Sequence, residues 1–184
     1  MATFLSSHDR FAGERLWDQV GGDLKQYKLA AASYLLQPGT PFIYYGEEIG
    51  QAGVPGLPGD LPLRSPYSWT ADAATAGFTT GTPYRALPAN LASANVQAQA
   101  ADPSSLLAHY KALMVLRNGS PAIARGMYAA PFVTGQVMGF QRTLGSERVL
   151  VLLNYGSAAA SVDVGALPAG ATLSAAFPTS VAGI

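Results

Sequence analysis

Two short apolar segments on either side of one amphipathic segment constrain the fold of this chain more than any other feature. Residues 2–6 and 42–45 have the composition of strands, and residues 23–36 repeat apolar side chains at helical spacing. Asp23 stands where a helix N-cap is expected. Strand, helix and strand with short connections predict one βαβ unit with parallel strands. Two parallel strands do not form a stable sheet alone, so we expect either other copies of the chain or a larger protein to supply the missing surface.

The segment that follows, residues 46–101, shows no sustained periodicity and is rich in glycine and proline. Loops of this length inside compact domains are unusual and tend to be functional. A second helix is predicted to begin at Asp102-Pro103, because an aspartate followed by proline is typical of a helix start. Asn118-Gly119 is the predicted end of this helix.

Residues 120–184 change to the pattern of short strands separated by turns. We predict strands at 126–133, 137–143, 148–155, 161–164 and 172–177, with hairpin turns at Gly135-Gln136 and Gly145-Ser146. Residues 149–153 are apolar on both faces and are predicted to form a central strand. The fold class is therefore α/β in residues 1–119, followed by an all-β domain in residues 120–184.

Composition excludes several classes of function. The formal net charge is zero, with 11 basic and 11 acidic residues, which argues against nucleic acids and anionic membrane surfaces as partners. The chain has no cysteine and 2 histidines, which excludes disulfides and makes a structural zinc site untenable. Its apolar stretches are too short to span a bilayer, and nothing in the sequence decides the localisation. Charged residues make up only 12%, about half the usual share, so we expect the chain to form a homo-oligomer, namely a dimer.

Candidate chemistry is concentrated after the two predicted strands. His8 and Asp9 follow the first strand, and the carboxyl ends of parallel strands are where catalytic side chains collect. A carboxylate beside an imidazole can bind sugar hydroxyls, although the same pair is also common in turns and caps. Glu47 and Glu48 follow the second strand, but adjacent residues of an extended chain point to opposite sides and do not face one bond. We expect one of them to hold the loop and the other to be exposed, and we expect His109 to be a surface or packing histidine.

Three motifs together carry a resemblance to a known family. They are Phe4-Leu-Ser-Ser-His-Asp9, Pro38-Gly-Thr-Pro-Phe-Ile-Tyr-Tyr-Gly-Glu-Glu-Ile-Gly50 and Leu63-Arg-Ser-Pro-Tyr-Ser-Trp69. They resemble the segments around the seventh and eighth strands of glycoside hydrolase family 13, the α-amylase family. The resemblance implies the last two strand–helix units of a (β/α)8 barrel, followed by an incomplete antiparallel domain C. A whole barrel of this type needs roughly 250 residues.

The resemblance also implies roles for individual residues. Asp9 corresponds to the third acidic residue of the family, which grips hydroxyls of the glucose at the cleavage point. His8 corresponds to the histidine that hydrogen-bonds the same sugar, and Arg64 is expected near the substrate entrance. Ser7 and Tyr67 depart from the family pattern, which has asparagine and methionine there. We expect the first change to loosen the setting of the His8–Asp9 pair and the second to alter loop packing.

The family's nucleophilic aspartate and acid/base glutamate, on the fourth and fifth strands, have no counterpart in this sequence, nor does the domain that carries the family's calcium. No cofactor is therefore expected. The implied substrate is a maltooligosaccharide or another α-glucan, cleaved mainly at α-1,4 bonds. Three interpretations stay open: a part of a glycosidase without hydrolytic activity of its own; a truncated amylase that is active as an oligomer and recruits Glu47, Glu48 or Asp60; and a non-catalytic α-glucan-binding or assembly module.

Overall fold

The computed structural model describes residues 1–165 and 169–178. The chain divides into two compact units, which we treat separately: Met1–Leu35 with Gly39–Ala112, and Leu36–Pro38 with Leu113–Ile184. The helices are α1 Leu16–Gln19, α2 Leu24–Leu35, α3 Val96–Gln99, α4 Leu106–Gly119 and α5 Pro121–Arg125. The strands are β1 Ala2–Thr3, β2 Thr40–Pro41, β3 Met127–Thr134, β4 Val137–Leu144 and β5 Glu147–Asn154. The assignment of residues 1–119 and 120–184 to two domains of a larger enzyme stays a prediction.

The two parallel strands of the βαβ unit are present but shorter than the sequence indicates. β1 pairs with β2 in parallel, with Ala2 opposite Thr40 and Thr3 opposite Pro41. The ladder ends one bond later, where the Phe42 amide donates to the Thr3 carbonyl over 2.8 Å. The prediction of a strand at 42–45 is therefore wrong, since β1 offers these residues no further partner along the described chain.

Helix α2 confirms the helical segment predicted at 23–36. The Asp23 carboxylate accepts hydrogen bonds from the backbone N–H groups of Lys25 and Gln26, which is the capping role expected of it. Helix α4 begins at Leu106 rather than at Asp102. Its cap is Ser105, whose hydroxyl accepts from the Ala108 amide, while Asp102 bonds within the preceding turn to Ser104.

The core of the first unit is formed by apolar and aromatic side chains of α2, α4 and the intervening loop. Its most buried members are Tyr27, Ala31, Leu35, Ile49, Leu63, Leu106 and Tyr110. The long segment 46–101 contains only 3-10 turns at Glu47–Ile49 and Leu61–Leu63 and the short α3. Two side-chain amides, one of them fully buried, hold it in place. Gln51 bonds the Ser65 hydroxyl and the Pro66 carbonyl, and Asn90 bonds the backbone of Gly50 and Ala52.

The second unit contains one antiparallel sheet in the order β3-β4-β5. Both predicted hairpin turns are confirmed, with Gly135 and Gly145 in the left-handed region that these tight turns require. The core combines the sheet with α5 and the end of α4, and includes Leu113, Ala122, Ile123, Val137, Phe140, Val151 and Leu153.

Three further strand predictions are wrong within the described residues. The central strand is β4, whereas β5, which holds residues 149–153, lies at the edge of the described sheet and leaves Leu152 45% exposed. Residues 161–164 and 172–177 form no strand. Most of their side chains are exposed, so their alternating pattern gains no burial that would fix them in a ladder.

Among the described residues, no helix is long and apolar enough to cross a membrane.

Candidate functional site

The loop that leaves β1 presents the two residues singled out by the sequence. Asp9 has an extended backbone and precedes a 3-10 turn at Arg10–Ala12. The Ser7 hydroxyl accepts a hydrogen bond from the Asp9 amide over 3.0 Å and lies 3.2 Å from the Asp9 carbonyl. Ser7 therefore closes a tight local turn that fixes the backbone of Asp9. The expectation that serine at this position loosens the pair does not fit this hydrogen bonding.

The Asp9 carboxylate lies between an imidazole and a guanidinium. Its Oδ2 is 3.1 Å from His8 Nε2, and its Oδ1 accepts from Arg64 Nη2 over 2.9 Å. Arg64 also donates from Nε to the His8 carbonyl over 3.0 Å. The structure thus brings together His8, Asp9 and Arg64, although Arg64 comes from a loop more than 50 residues further along the chain.

Asp60 completes this group. Its Oδ2 accepts from Arg64 Nη2 over 2.9 Å, so Asp9 and Asp60 share one guanidinium. Its Oδ1 accepts from the Arg10 amide over 3.0 Å, which ties the start of the 3-10 turn to the same loop. The side chains remain open to solvent, with Asp9 40% and His8 65% exposed. Each Asp9 carboxylate oxygen uses one lone pair for its contact with His8 or Arg64, so each can still accept a hydrogen bond from a hydroxyl group of a ligand.

Glu47 lies away from this group, in the interior of the first unit. Its Oε2 accepts from the Ser6 hydroxyl over 2.6 Å, and its Oε1 accepts from Tyr34 over 2.6 Å and from Tyr110 over 3.0 Å. The Tyr27 hydroxyl donates to the Glu47 carbonyl over 2.7 Å. Burial raises the pKa of the Glu47 carboxyl, and the three hydroxyl donors oppose that rise. Glu47 is thus the glutamate that holds the loop.

Glu48 is not exposed, contrary to the expectation from the sequence. Its Oε1 accepts from the Tyr67 hydroxyl over 2.6 Å, while Oε2 is buried without a hydrogen-bond partner among the described residues. The Tyr67 ring packs edge-on against Trp69, with centroids 4.8 Å apart. Methionine could not donate this bond; that tyrosine changes the loop packing relative to the family stays a prediction.

The other sequence candidates are structural. His109 is partly buried, with Nε2 3.1 Å from the Lys28 carbonyl, and burial lowers its pKa. Tyr27 and Tyr34 belong to the core, whereas Tyr45 is partly exposed. Sequence reasoning missed Arg15, which is buried and donates to the backbone of the loop that carries Arg64. The one feature that could have indicated its burial is a charged residue directly before the apolar Leu16-Trp17.

The group around Asp9 can bind polar ligands but lacks the layout of a metal centre. Across residues 1–165 and 169–178, no set of three or more histidine, aspartate and glutamate side chains is placed to hold an ion. An ionised carboxylate beside an imidazole and a guanidinium offers charge-assisted hydrogen bonds, which are stronger than neutral ones. Such an arrangement suits the hydroxyl groups of a sugar.

Comparison with known proteins agrees with this chemistry. The α-amylase catalytic domain matches residues 1–126. The trehalose synthase of Thermus thermophilus is 36% identical over 76% of this chain, and the α-amylase SusG of Bacteroides thetaiotaomicron is 36% identical over 86%. The oligo-1,6-glucosidase of Parageobacillus thermoglucosidasius is 29% identical over 83%. This chain spans only 15%, 23% and 33% of the length of these relatives, respectively.

Solved structures of enzymes from this comparison have the same fold over most of the chain. The trehalulose synthase MutB superposes with a TM-score of 0.72 at 26% identity, covering 84% of this chain and 34% of that protein. The isomaltulose synthase SmuA of Protaminobacter rubrum gives the same TM-score and coverage. The prediction of the end of a barrel followed by a β domain is confirmed by these neighbours.

Proposed function

Because the chain belongs to the α-amylase family of glycoside hydrolases, we propose that it supplies the sugar-binding corner of a glycosidase site, with Asp9 and His8 as ligands of the glucosyl unit. The substrate class is a maltooligosaccharide or a related α-glucan with α-glucosidic, mainly α-1,4, bonds. Hydrolysis is not an activity of these residues alone.

The observation that carries the proposal is the setting of the Asp9 carboxylate. One oxygen faces the Arg64 guanidinium and the other faces the His8 imidazole, while the side chain stays accessible. The guanidinium fixes the orientation of the carboxylate through a hydrogen bond of 2.9 Å, and His8 offers a ring nitrogen beside it. Two neighbouring hydroxyls of a glucose ring could be bound by this pair without moving the backbone.

The carboxylates of Glu47, Glu48 and Asp60 are poor substitutes for a nucleophile and a general acid. Glycosidases place two carboxyl groups across one bond, about 5–5.5 Å apart in retaining enzymes. Glu47 is buried under three hydroxyls, Glu48 is bonded to Tyr67, and Asp60 shares Arg64 with Asp9. This argues against recruitment of these residues for hydrolysis within an oligomer.

The relatives include hydrolases as well as synthases named for trehalose, trehalulose and isomaltulose. Binding of a glucosyl unit by Asp9 and His8 is compatible with both kinds of activity. Whether water or a second sugar accepts the glucosyl group is decided elsewhere in such a site.

The test is turnover of maltoheptaose by the purified 184-residue chain beside an Asp9→Asn variant prepared identically. We expect the unmodified chain to bind maltoheptaose weakly and the Asp9→Asn variant not to bind it. We also expect Asp9→Asn to cause no loss of turnover, because neither protein hydrolyses the sugar. Turnover lost in Asp9→Asn would contradict the proposal, because it would require a complete pair of catalytic carboxylates.

A further inference from the structure

Arg15 is one of the most buried side chains of the first unit, with 1% of its surface exposed. Its Nη1 donates to the Tyr45 carbonyl over 2.5 Å, and its Nη2 donates to the Leu63 carbonyl over 2.7 Å. Its guanidinium carbon lies 4.5 Å from the ring centre of Tyr44 and 4.6 Å from that of Tyr45. Buried arginines are rare unless paired, and here carbonyl groups and ring faces receive the charge.

These contacts fix the backbone on both sides of Arg64. The Leu63 carbonyl accepts from Arg15 and also from the Tyr44 hydroxyl over 3.0 Å. The Ser65 carbonyl accepts from the Tyr45 hydroxyl over 2.7 Å. The residues before and after Arg64 are therefore both held by groups that pack against the Arg15 guanidinium.

Arg64 depends on this backbone for its reach. Its Nε bonds the His8 carbonyl and its Nη2 bonds Asp9 and Asp60, so three partners converge on one guanidinium. Holding a long side chain on three partners costs side-chain conformational entropy. The contacts offset that cost only if the Cα stays where all three partners are within reach. A shift of the loop would release the Asp9 carboxylate from Arg64.

We propose that Arg15 is a positioning residue for the sugar-binding pair: it holds the backbone around Arg64 so that the guanidinium orients the Asp9 carboxylate. The sugar-binding part rests on the function proposed above, whereas the positioning geometry does not. The role needs arginine, because a planar fork donates to two carbonyl groups at once while its guanidinium carbon stays within 4.6 Å of both ring centres. A lysine ammonium is a compact point charge that cannot do both.

The test compares Arg15→Lys and Tyr45→Phe with the unmodified chain by NMR. Solvent exchange of the Arg64 Nε–H, which donates to the His8 carbonyl, reports the positioning directly. Arg15→Lys should accelerate this exchange about tenfold or more, the size of a lost charge-assisted hydrogen bond. Tyr45→Phe removes the bond to the Ser65 carbonyl while leaving Arg15 in place, and should accelerate the exchange less. Amide protection in α2 shows that the unit remains folded.

The matched control is Arg142→Lys in the second unit. Arg142 is equally buried at 1% exposure and donates to the Leu36 and Gly126 carbonyls. This variant should leave the exchange of Arg64 unchanged.

The outcomes separate the two proposals. Unchanged Arg64 exchange in a folded Arg15→Lys variant would overturn the positioning role; if that variant does not fold, unchanged exchange in Tyr45→Phe would do the same. Faster Arg64 exchange with no maltoheptaose binding by the unmodified chain would support the positioning geometry and refute the sugar-binding function alone. Faster exchange together with weaker maltoheptaose binding would support both.

Discussion

Replacing Glu47 by leucine or by glutamine should separate what its hydrogen bonds contribute to the free energy of unfolding from what its charge contributes. Leucine removes the acceptor of three buried hydroxyls, those of Ser6, Tyr34 and Tyr110. Each net hydrogen bond contributes about 0.5–1.5 kcal/mol, so Glu47→Leu should reduce the free energy of unfolding by about 1.5–4.5 kcal/mol.

Glutamine can keep all three bonds. Oε1 of Glu47 accepts from both tyrosines, and an amide oxygen has the two lone pairs this requires. Oε2 meets only Ser6, whose hydroxyl can reverse and accept from the amide NH2. We therefore expect Glu47→Gln to cost less than about 1 kcal/mol, since it loses a charge but leaves no buried hydroxyl unpaired.

The assay is urea unfolding followed by tryptophan fluorescence. Both tryptophans, Trp17 and Trp69, belong to the first unit, so the signal reports the unit that contains Glu47. Glu48→Leu is the control, because it removes the acceptor of the Tyr67 hydroxyl alone and should cost about 1 kcal/mol. A Glu47→Gln variant as unstable as Glu47→Leu would refute the reasoning, since the charge and not the acceptor geometry would then dominate.

Further predictions concern pH, the sheet, the loop and assembly. Burial raises the pKa of Glu47 in the folded state, so the folded chain binds a proton more tightly than the unfolded chain does. The free energy of unfolding of the unmodified chain should therefore rise relative to that of Glu47→Gln as the pH falls from neutral towards the ordinary glutamate pKa. The urea midpoint at each pH measures this. Gly139→Ala should destabilise the second unit by about 1–3 kcal/mol because its Cβ would overlap the Phe132 ring, and a Phe132→Ala background should remove most of that cost in thermal unfolding. Tyr67→Phe should cost about 1 kcal/mol in the same urea assay, because Glu48 then has no donor for Oε1, and an unchanged midpoint would contradict the bond. Light scattering should show a dimer, in keeping with exposed aromatic side chains such as Phe11 at 78% and Phe42 at 58%; a monodisperse monomer would refute this.

The sequence predicted elements well where periodicity and turn chemistry agreed. Helix α2 has its apolar stripe and its Asp23 cap, and the two hairpins have glycines where a positive φ is needed. The strand predictions were wrong where composition was the only signal, at 42–45, 161–164 and 172–177. Their composition favours strands, but a strand also needs a neighbour to pair with, and local composition carries no information about that neighbour.

The candidate site was predictable in part. His8, Asp9 and Arg64 were found through the family resemblance, and the structure brings them together. The sharing of Arg64 between Asp9 and Asp60, and the support from Arg15, involve residues about 50 positions apart whose contacts depend on the path of a loop without periodicity. Glu47 and Glu48 look alike in the sequence, but one 3-10 turn sends the first into the core and the second towards Tyr67.

The most direct test of the account is a residue-resolved NMR titration of the chain with maltoheptaose. We expect saturable shifts centred on the His8 imidazole, the Asp9 amide and the Arg64 Nε–H, all of them lost in Asp9→Asn while α2 keeps its spectrum. Shifts confined to other surfaces, such as the exposed Trp69 ring, or the same shifts in Asp9→Asn, would contradict the assignment of this corner to sugar binding.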